Sequence, residues 1–203
     1  MTQLAFYFDA RACSGCKACQ AACKDKHDLP VGVLWRRVYE VSGGEWQQQE
    51  EAWITSAFAY NLSIACNHCA RPICVEVCPA AAISKRPDGI VLIDERRCIG
   101  CKYCSWACPY GAPQYDPGLG ILTKCDFCVD NIDAGLPPAC VAACPMRVLD
   151  FGDLEELEER YGPGGNIFPL PAAELTEPAL IVRPHQAALK AASQAEIANR
   201  EEV

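Results

Sequence analysis

Sixteen cysteines stand among the 203 residues, in four groups of four with none left over. They are Cys13, Cys16, Cys19 and Cys23; Cys66, Cys69, Cys74 and Cys78; Cys98, Cys101, Cys104 and Cys108; and Cys125, Cys128, Cys140 and Cys144. Thiols placed in this way could form disulfides, hold zinc or bind iron–sulfur clusters. Disulfide frameworks belong to short secreted chains. Met1 to Ala12 has no basic region followed by an apolar stretch, so no secretion signal is expected. Near neighbours in C-x-x-C-x-x-C runs also pair badly. Structural zinc takes two cysteine pairs a dozen or more residues apart. The fourth group has that form, but four cysteines within eleven residues, as in the first and third, would crowd a single ion.

Iron–sulfur chemistry accommodates all four groups. The run C-x2-C-x2-C-x3-C-P is the bacterial ferredoxin ligand pattern, in which the fourth cysteine binds the other cluster of a pair. The third group, CIGCKYCSWACP, keeps every spacing, and the second, CNHCARPICVEVCP, adds two residues before its third cysteine. A short turn of backbone wraps three corners of a cube. A short helical turn then carries the fourth cysteine toward the neighbouring cube. Gly15 and Gly100 let backbone N–H groups approach cluster sulfur. Pro79, Pro109 and Pro145 each follow a fourth cysteine and stop the turn. No cysteine position is filled by another residue, so four 4Fe–4S clusters are expected. His68, inside CNHC, has no vacant ligand position to fill.

The elements that must position these thiols follow from the intervening segments. Between Cys78 and Cys98, AISKRPDGIVLIDE reads as strand, Pro-Asp-Gly turn, strand. Ligand run, hairpin, ligand run is the layout of a two-cluster ferredoxin. One cube is then expected on Cys66, Cys69, Cys74 and Cys108, and its mate on Cys98, Cys101, Cys104 and Cys78. By the same repeat, the outer groups give Cys13, Cys16, Cys19 and Cys144, and Cys125, Cys128, Cys140 and Cys23. The expected fold is α+β, with two nested bacterial-type two-cluster ferredoxin units. Residues 1–30 and 120–152 form the outer unit and 61–119 the inner one. A β-hairpin is inserted at 31–60, and 153–203 holds a short helix and a long irregular, partner-binding tail. Four clusters in a row make a conductor.

Within the insert, Val33, Trp35, Val38 and Tyr39 precede Ser42-Gly43-Gly44, and Trp46, Trp53, Ile54 and Phe58 follow. Arg36-Arg37 reads as strand surface. RVLDFGD reads as a strand, and Asp153 as the cap of a helix over LEELEERY, with Glu156 in the capping-box position and Gly162 as the stop. His27 and His185 read as solvated, and Trp106 as a shield that keeps water from a cluster. Acidic residues outnumber basic ones, 26 to 18, for a net charge of −8, which argues against nucleic acid as a partner. No apolar run approaches the roughly 20 residues that span a bilayer. No serine–histidine–acid set and no phosphate-cradling glycine loop is present, so the protein is expected to conduct electrons and leave substrate chemistry to a partner.

CIGCKYCSWACPYGAPQY, LTKCDFC, CVAACPMRVLDFG, LSIACNHC and the WRRVYE hairpin together resemble the four-cluster iron–sulfur subunits of molybdopterin oxidoreductases, of the dimethyl sulfoxide reductase type. The likeness covers about residues 4–184. It implies an electron-transfer subunit, itself non-catalytic. One partner would be a quinol-oxidising integral membrane anchor. The other would be a molybdopterin (bis-guanine-dinucleotide) catalytic subunit that reduces dimethyl sulfoxide or a related S- or N-oxide. The outer pair of clusters would face the catalytic subunit, and the cube of Cys98, Cys101, Cys104 and Cys78 would lie nearest the quinol. In the similar nitrate reductase subunit, tryptophan stands at the second position of the third group and the centre is 3Fe–4S; here that position is Cys101. Such complexes sit on the cytoplasmic membrane, at the periplasmic face through the partner's twin-arginine signal or at the cytoplasmic face. The same relay could serve a thiosulfate, polysulfide, tetrathionate or selenate reductase or a formate dehydrogenase. A free-standing polyferredoxin and a zinc-bound interaction module are the readings of other classes.

Overall fold

The computed structural model describes residues 2–190 and 195–203. It is a mixed α+β structure of small sheets and short helices. Strand β1 (Leu4–Asp9) lies at the centre of a three-stranded sheet. It pairs antiparallel with β10 (Leu149–Asp153), Phe6 opposite Phe151, and parallel with β11 (Leu180–Arg183), Phe6 opposite Leu180. Successive side chains of a strand face opposite ways. Phe6 and Phe8 therefore enter the main core, while Ala5 and Tyr7 enter a second core with Leu157, Ala179 and Ile181. Both faces are covered, which is why the middle of β1 is apolar throughout.

Helix α6 (Leu154–Tyr161) closes the second core, and Tyr161 stacks on Tyr7 with centroids 3.6 Å apart. The Asp153 carboxylate caps this helix by accepting from the Glu155 N–H at 3.0 Å, one residue before the Glu156 expected from the capping box. Gly162, with φ +81°, ends it.

The segment expected as a simple hairpin is more elaborate. Strand β2 (Arg37–Gly43) pairs antiparallel with β5 (Phe58–Ile64), Arg37 opposite Ile64. Between them β3 (Trp46–Gln49) and β4 (Ala52–Thr55) form a separate, fully exposed arm. Two further hairpins follow, β6 (Ile83–Lys85) with β7 (Val91–Ile93) and β8 (Gln114–Asp116) with β9 (Ile121–Thr123). The first of them carries the expected Pro-Asp-Gly turn. The second turns because Asp116 Oδ1 accepts from the N–H groups of Gly118 and Leu119, at 2.8 and 3.1 Å.

The stretch beyond Gly162 holds more regular structure than its proline and glycine content indicates. Besides β11 it forms a 3-10 turn (Ala173–Leu175), helix α7 (Gln186–Lys190) and strand β12 (Ala195–Ile197), which adds to the edge of β2. Much of its backbone pairs within this same molecule. Ala70 and Arg71 donate to the carbonyls of Glu177 and Thr176, and Ala179 donates to Asn67. The Asn199 carboxamide bridges Val38 and Glu40. Composition hides this because these contacts are made by backbone or by one polar side chain, beside a few scattered apolar residues such as Ile167 and Val182 that enter the main core.

Four of the helices carry cysteines: α1 (Ala18–Lys26), α2 (Ile73–Glu76), α3 (Tyr103–Ala107) and α5 (Ala139–Ala142). Helix α4 (Val129–Asp133) starts directly after Cys128. A C-x3-C spacing puts two thiols on one helix face, about 6 Å apart along the axis. That is the physical use of the spacing: a single turn serves two neighbouring sites.

Candidate iron–sulfur centres

All four ligand runs bend in the same way. The residue before the second cysteine is left-handed in each: Gly15 at φ +69°, His68 at +42°, Gly100 at +68° and Phe127 at +67°. In the two runs of identical spacing a second left-handed residue, Lys17 or Lys102, stands just before the start of the helix. Where proline follows the fourth cysteine, the residue three beyond that cysteine is left-handed too, at Ala81, Gly111 and Arg147. Such backbone costs a non-glycine residue about 1–2 kcal/mol, so it persists only where the surroundings impose it.

Gly15 and Gly100 are needed for space as well as for φ. A Cβ on Gly15 would lie 2.6 Å from Asn61 Oδ1, and one on Gly100 would lie 2.4 Å from the Gly120 carbonyl oxygen. We expect Gly100→Ala to destabilise the loaded protein by about 1–3 kcal/mol and to weaken iron retention at the third run. Gly32→Ala is the control, because Gly32 has a positive φ and nothing near its Cβ. Thermal melts with iron assays compare the two; equal effects would show that the close approach at Gly100 is immaterial.

The thiols converge across groups. One cavity is lined by Cys13, Cys16, Cys19 and Cys144, with Phe8, Val38 and Ser63. A second is lined by Cys66, Cys69, Cys74 and Cys108, with His68, Lys124 and Thr176. A third is lined by Cys78, Cys98, Cys101 and Cys104, with Ile83, Ile93 and Leu122. The remaining four are gathered around Cys23. Cys23 lies within electrostatic reach of Cys140 and Cys128, and Cys125 within reach of Cys23. In every case the fourth cysteine of one group joins three from another.

These sets suit a polynuclear core better than a single ion. A tetrahedral zinc with Zn–S bonds near 2.3 Å holds its sulfurs about 3.8 Å apart. Among the described residues no three cysteine sulfurs lie within 4.8 Å of one another. All sixteen are free thiols. Burial drives the acidity of several of them down, with Cys13 and Cys128 pushed up to about 11 and Cys23 and Cys74 to about 12. Thiols this buried become thiolates only when a metal replaces the proton. Further donors reach the sulfurs: Thr176 Oγ1 to Cys69 at 3.2 Å, the Ala82 N–H to Cys78 at 3.3 Å and the Phe127 N–H to Cys125 at 3.4 Å.

Two cations are sealed among these sets. Arg36 is 2% exposed, and its Nη1 donates to Ser63 Oγ at 3.2 Å, while its Nε and Nη2 have no partner. Lys124 is 4% exposed and donates to the carbonyls of Val91 and Cys125. A buried guanidinium with unpaired donors is costly unless an anion lies beside it, so these residues fit negatively charged clusters.

Arg36 and Arg37 are therefore not strand surface. Arg37 is buried too, and its Nη2 donates to the Tyr110 carbonyl at 2.8 Å. Arg36 shares strand parity with Val38, a signal that could have placed it inward. Lys124 and Thr176 give no comparable signal. His27 is not solvated: it packs on Trp35, and its Nε2 lies 3.4 Å from Cys128 Sγ. His185 is half-buried against Tyr60. Trp106 is 73% exposed, so its ring points outward rather than over a cluster. His68 is buried, with its pKa well below the usual histidine value through desolvation, and its Nδ1 accepts from the Val91 N–H.

Residues 57–154 match the family described as 4Fe-4S dicluster domain. That span holds the second, third and fourth cysteine groups. Over 187 residues the sequence is 50% identical to the B subunit of anaerobic dimethyl sulfoxide reductase from Haemophilus influenzae, covering 92% of this protein and 91% of that one. The B subunit of the same name in Escherichia coli is 50% identical over 184 residues, 91% of this protein and 90% of that one. The protein belongs to the anaerobic dimethyl sulfoxide reductase B-subunit family. A more distant likeness, 40% over 157 residues, is to the thiosulfate reductase electron transfer subunit PhsB of Salmonella typhi, covering 77% of this protein and 79% of that one. As a B-subunit family member with sixteen cysteines, the protein is an iron–sulfur electron-transfer subunit carrying four 4Fe–4S clusters. Among the described residues no helix is long and apolar enough to cross a membrane.

Proposed function

We propose that the four thiol sets are the four cluster ligand sets and that they form one electron path. Cys13, Cys16, Cys19 and Cys144 hold the first cluster, and Cys23, Cys125, Cys128 and Cys140 the second. Cys66, Cys69, Cys74 and Cys108 hold the third, and Cys78, Cys98, Cys101 and Cys104 the fourth. The nested units, with residues 1–30 and 120–152 outside and 61–119 inside, follow from this assignment. The observation that carries it is the succession of neighbours between sets. Cys19 lies near Cys140, and Cys125 near Cys66. Helix α2 with its following turn supplies Cys74 and Cys78, and α3 with its C-cap supplies Cys104 and Cys108, linking the last two sets.

A bound 4Fe–4S cluster supplies reversible one-electron transfer. The protein's own residues anchor it, exclude water with Phe8, Val38, Ile83 and Leu122, and neutralise its charge with Arg36 and Lys124. One partner is a quinol-oxidising membrane subunit. The other is a molybdopterin bis-guanine-dinucleotide subunit reducing dimethyl sulfoxide or a related S- or N-oxide. A docking face for the membrane partner is supported by Ile99, Tyr103, Trp106 and Leu119, all exposed and clustered in sequence around the fourth set. The complex sits on the cytoplasmic membrane, at the periplasmic face. The likeness to PhsB supports thiosulfate as a second terminal substrate.

Affinity purification of the tagged protein from anaerobically grown cells tests this. Both partners should co-purify, and quinol oxidation should depend on dimethyl sulfoxide. A protein that elutes alone near 22.1 kDa would defeat the complex. Thiosulfate-dependent turnover without dimethyl sulfoxide activity would select the second substrate.

A further inference from the structure

Arg36 is set among the sulfurs of both outer sites. The groups that bear on its charge are Cys140, Cys19, Cys125 and Cys23. Cys19 belongs to the first set and the other three to the second. The Arg36 side chain is fixed from two sides, by Ser63 Oγ, itself 3.2 Å from Cys19 Sγ, and by the Phe6 ring, whose centroid lies 4.8 Å from Cζ. Nε and Nη2 remain without partners, and no carboxylate pairs with Arg36 among the described residues. An arginine so enclosed needs a negative neighbour.

We propose that Arg36 is a shared counter-cation of the two outer clusters, donating from Nε and Nη2 to cluster sulfur and raising both reduction potentials. Rigid placement is what makes this effective. A fixed positive charge in a dry site stabilises the added electron, and hydrogen bonds to sulfur act in the same direction. Arginine suits the task because its fork offers several donors in one plane and stays charged when buried. Arg36 lies within electrostatic reach of both sets, so it couples them: each cluster's reduction is felt by the cation the other relies on. This inference rests on the four-cluster reading above.

The test is a redox titration of the intact anaerobic complex, followed by electron paramagnetic resonance, for Arg36→Gln and Arg36→Lys. With Gln, the reduced-to-oxidised ratio of the outer clusters at a fixed poise should fall about tenfold, a downward shift of about 59 mV for a one-electron couple. The inner clusters should not move. Lys keeps the charge and should recover most of the shift. A Gln variant with full iron and unmoved outer potentials overturns the proposal. If Gln loses iron, Lys decides: restored iron and near-normal potentials uphold the charge, whereas equal loss means only the guanidinium's shape matters and overturns it. Incomplete iron in the unmutated complex would instead sink the four-cluster reading.

Discussion

Removing iron from this protein with a strong chelator should unfold most of it. The main core counts Cys19, Cys66, Cys125, Cys140 and Cys144 among its buried members. Around them the regular elements are too short to stand alone: α2 and α5 have four residues each, and the strands of β6–β7 and β8–β9 have three. Isolated helices below about 12 residues and lone two-stranded hairpins are marginal in water. Structural metal binding in small domains is worth roughly 10–16 kcal/mol, as much as the about 5–15 kcal/mol that holds a typical domain together. Arg36 would also be left as a buried charge without its anions. The residual structure should be confined to β10–β1–β11 and α6, which have a separate core of Ala5, Tyr7, Leu157, Ala179 and Ile181. A two-dimensional NMR spectrum of the apoprotein should collapse in dispersion for most amides. Native-like dispersion across the ligand runs would refute the claim.

Cys101→Ser should convert the fourth cluster to 3Fe–4S or empty its site, leaving the other three in place. Cys101 lines one cavity with Cys78, Cys98 and Cys104, apart from the other twelve thiols. A serine oxygen is a harder, more basic ligand and holds iron less well at that corner. Loss of groups that merely orient ligands costs about 10–100-fold in metal affinity or activity, and loss of a ligand should cost more. Electron paramagnetic resonance should show a new signal in place of one 4Fe–4S centre, with quinol-driven turnover at least about tenfold lower. An unchanged spectrum would mean Cys101 is not a ligand.

The chemistry is legible in the sequence because it is local. Spacings of two and three residues fix a turn and a helical step, and the left-handed residues at Gly15, His68, Gly100 and Phe127 show one bend used four times. The hairpin of β6 and β7 is legible from Pro87-Asp88-Gly89 for the same reason. What the sequence hides is long-range. Arg36 looks like a solvated strand residue until the sulfurs of Cys19 and Cys140 are folded around it. Thr176 lies 107 positions from the thiol it bonds. Trp106 reads as a shield because it sits between ligands, but the helical turn of α3 that directs Cys104 inward directs Trp106 to the outside. The tail reads as irregular because Leu180–Arg183 is too short to announce a strand without its neighbour β1.

The placement of β1 also governs how the molecule is made. Its two hydrogen-bonded neighbours come from residues 149–153 and 180–183. A nascent polypeptide on the ribosome cannot complete that sheet until residue 183 has been synthesised and has cleared the exit tunnel. Residues 4–9 must wait for residues 180–183.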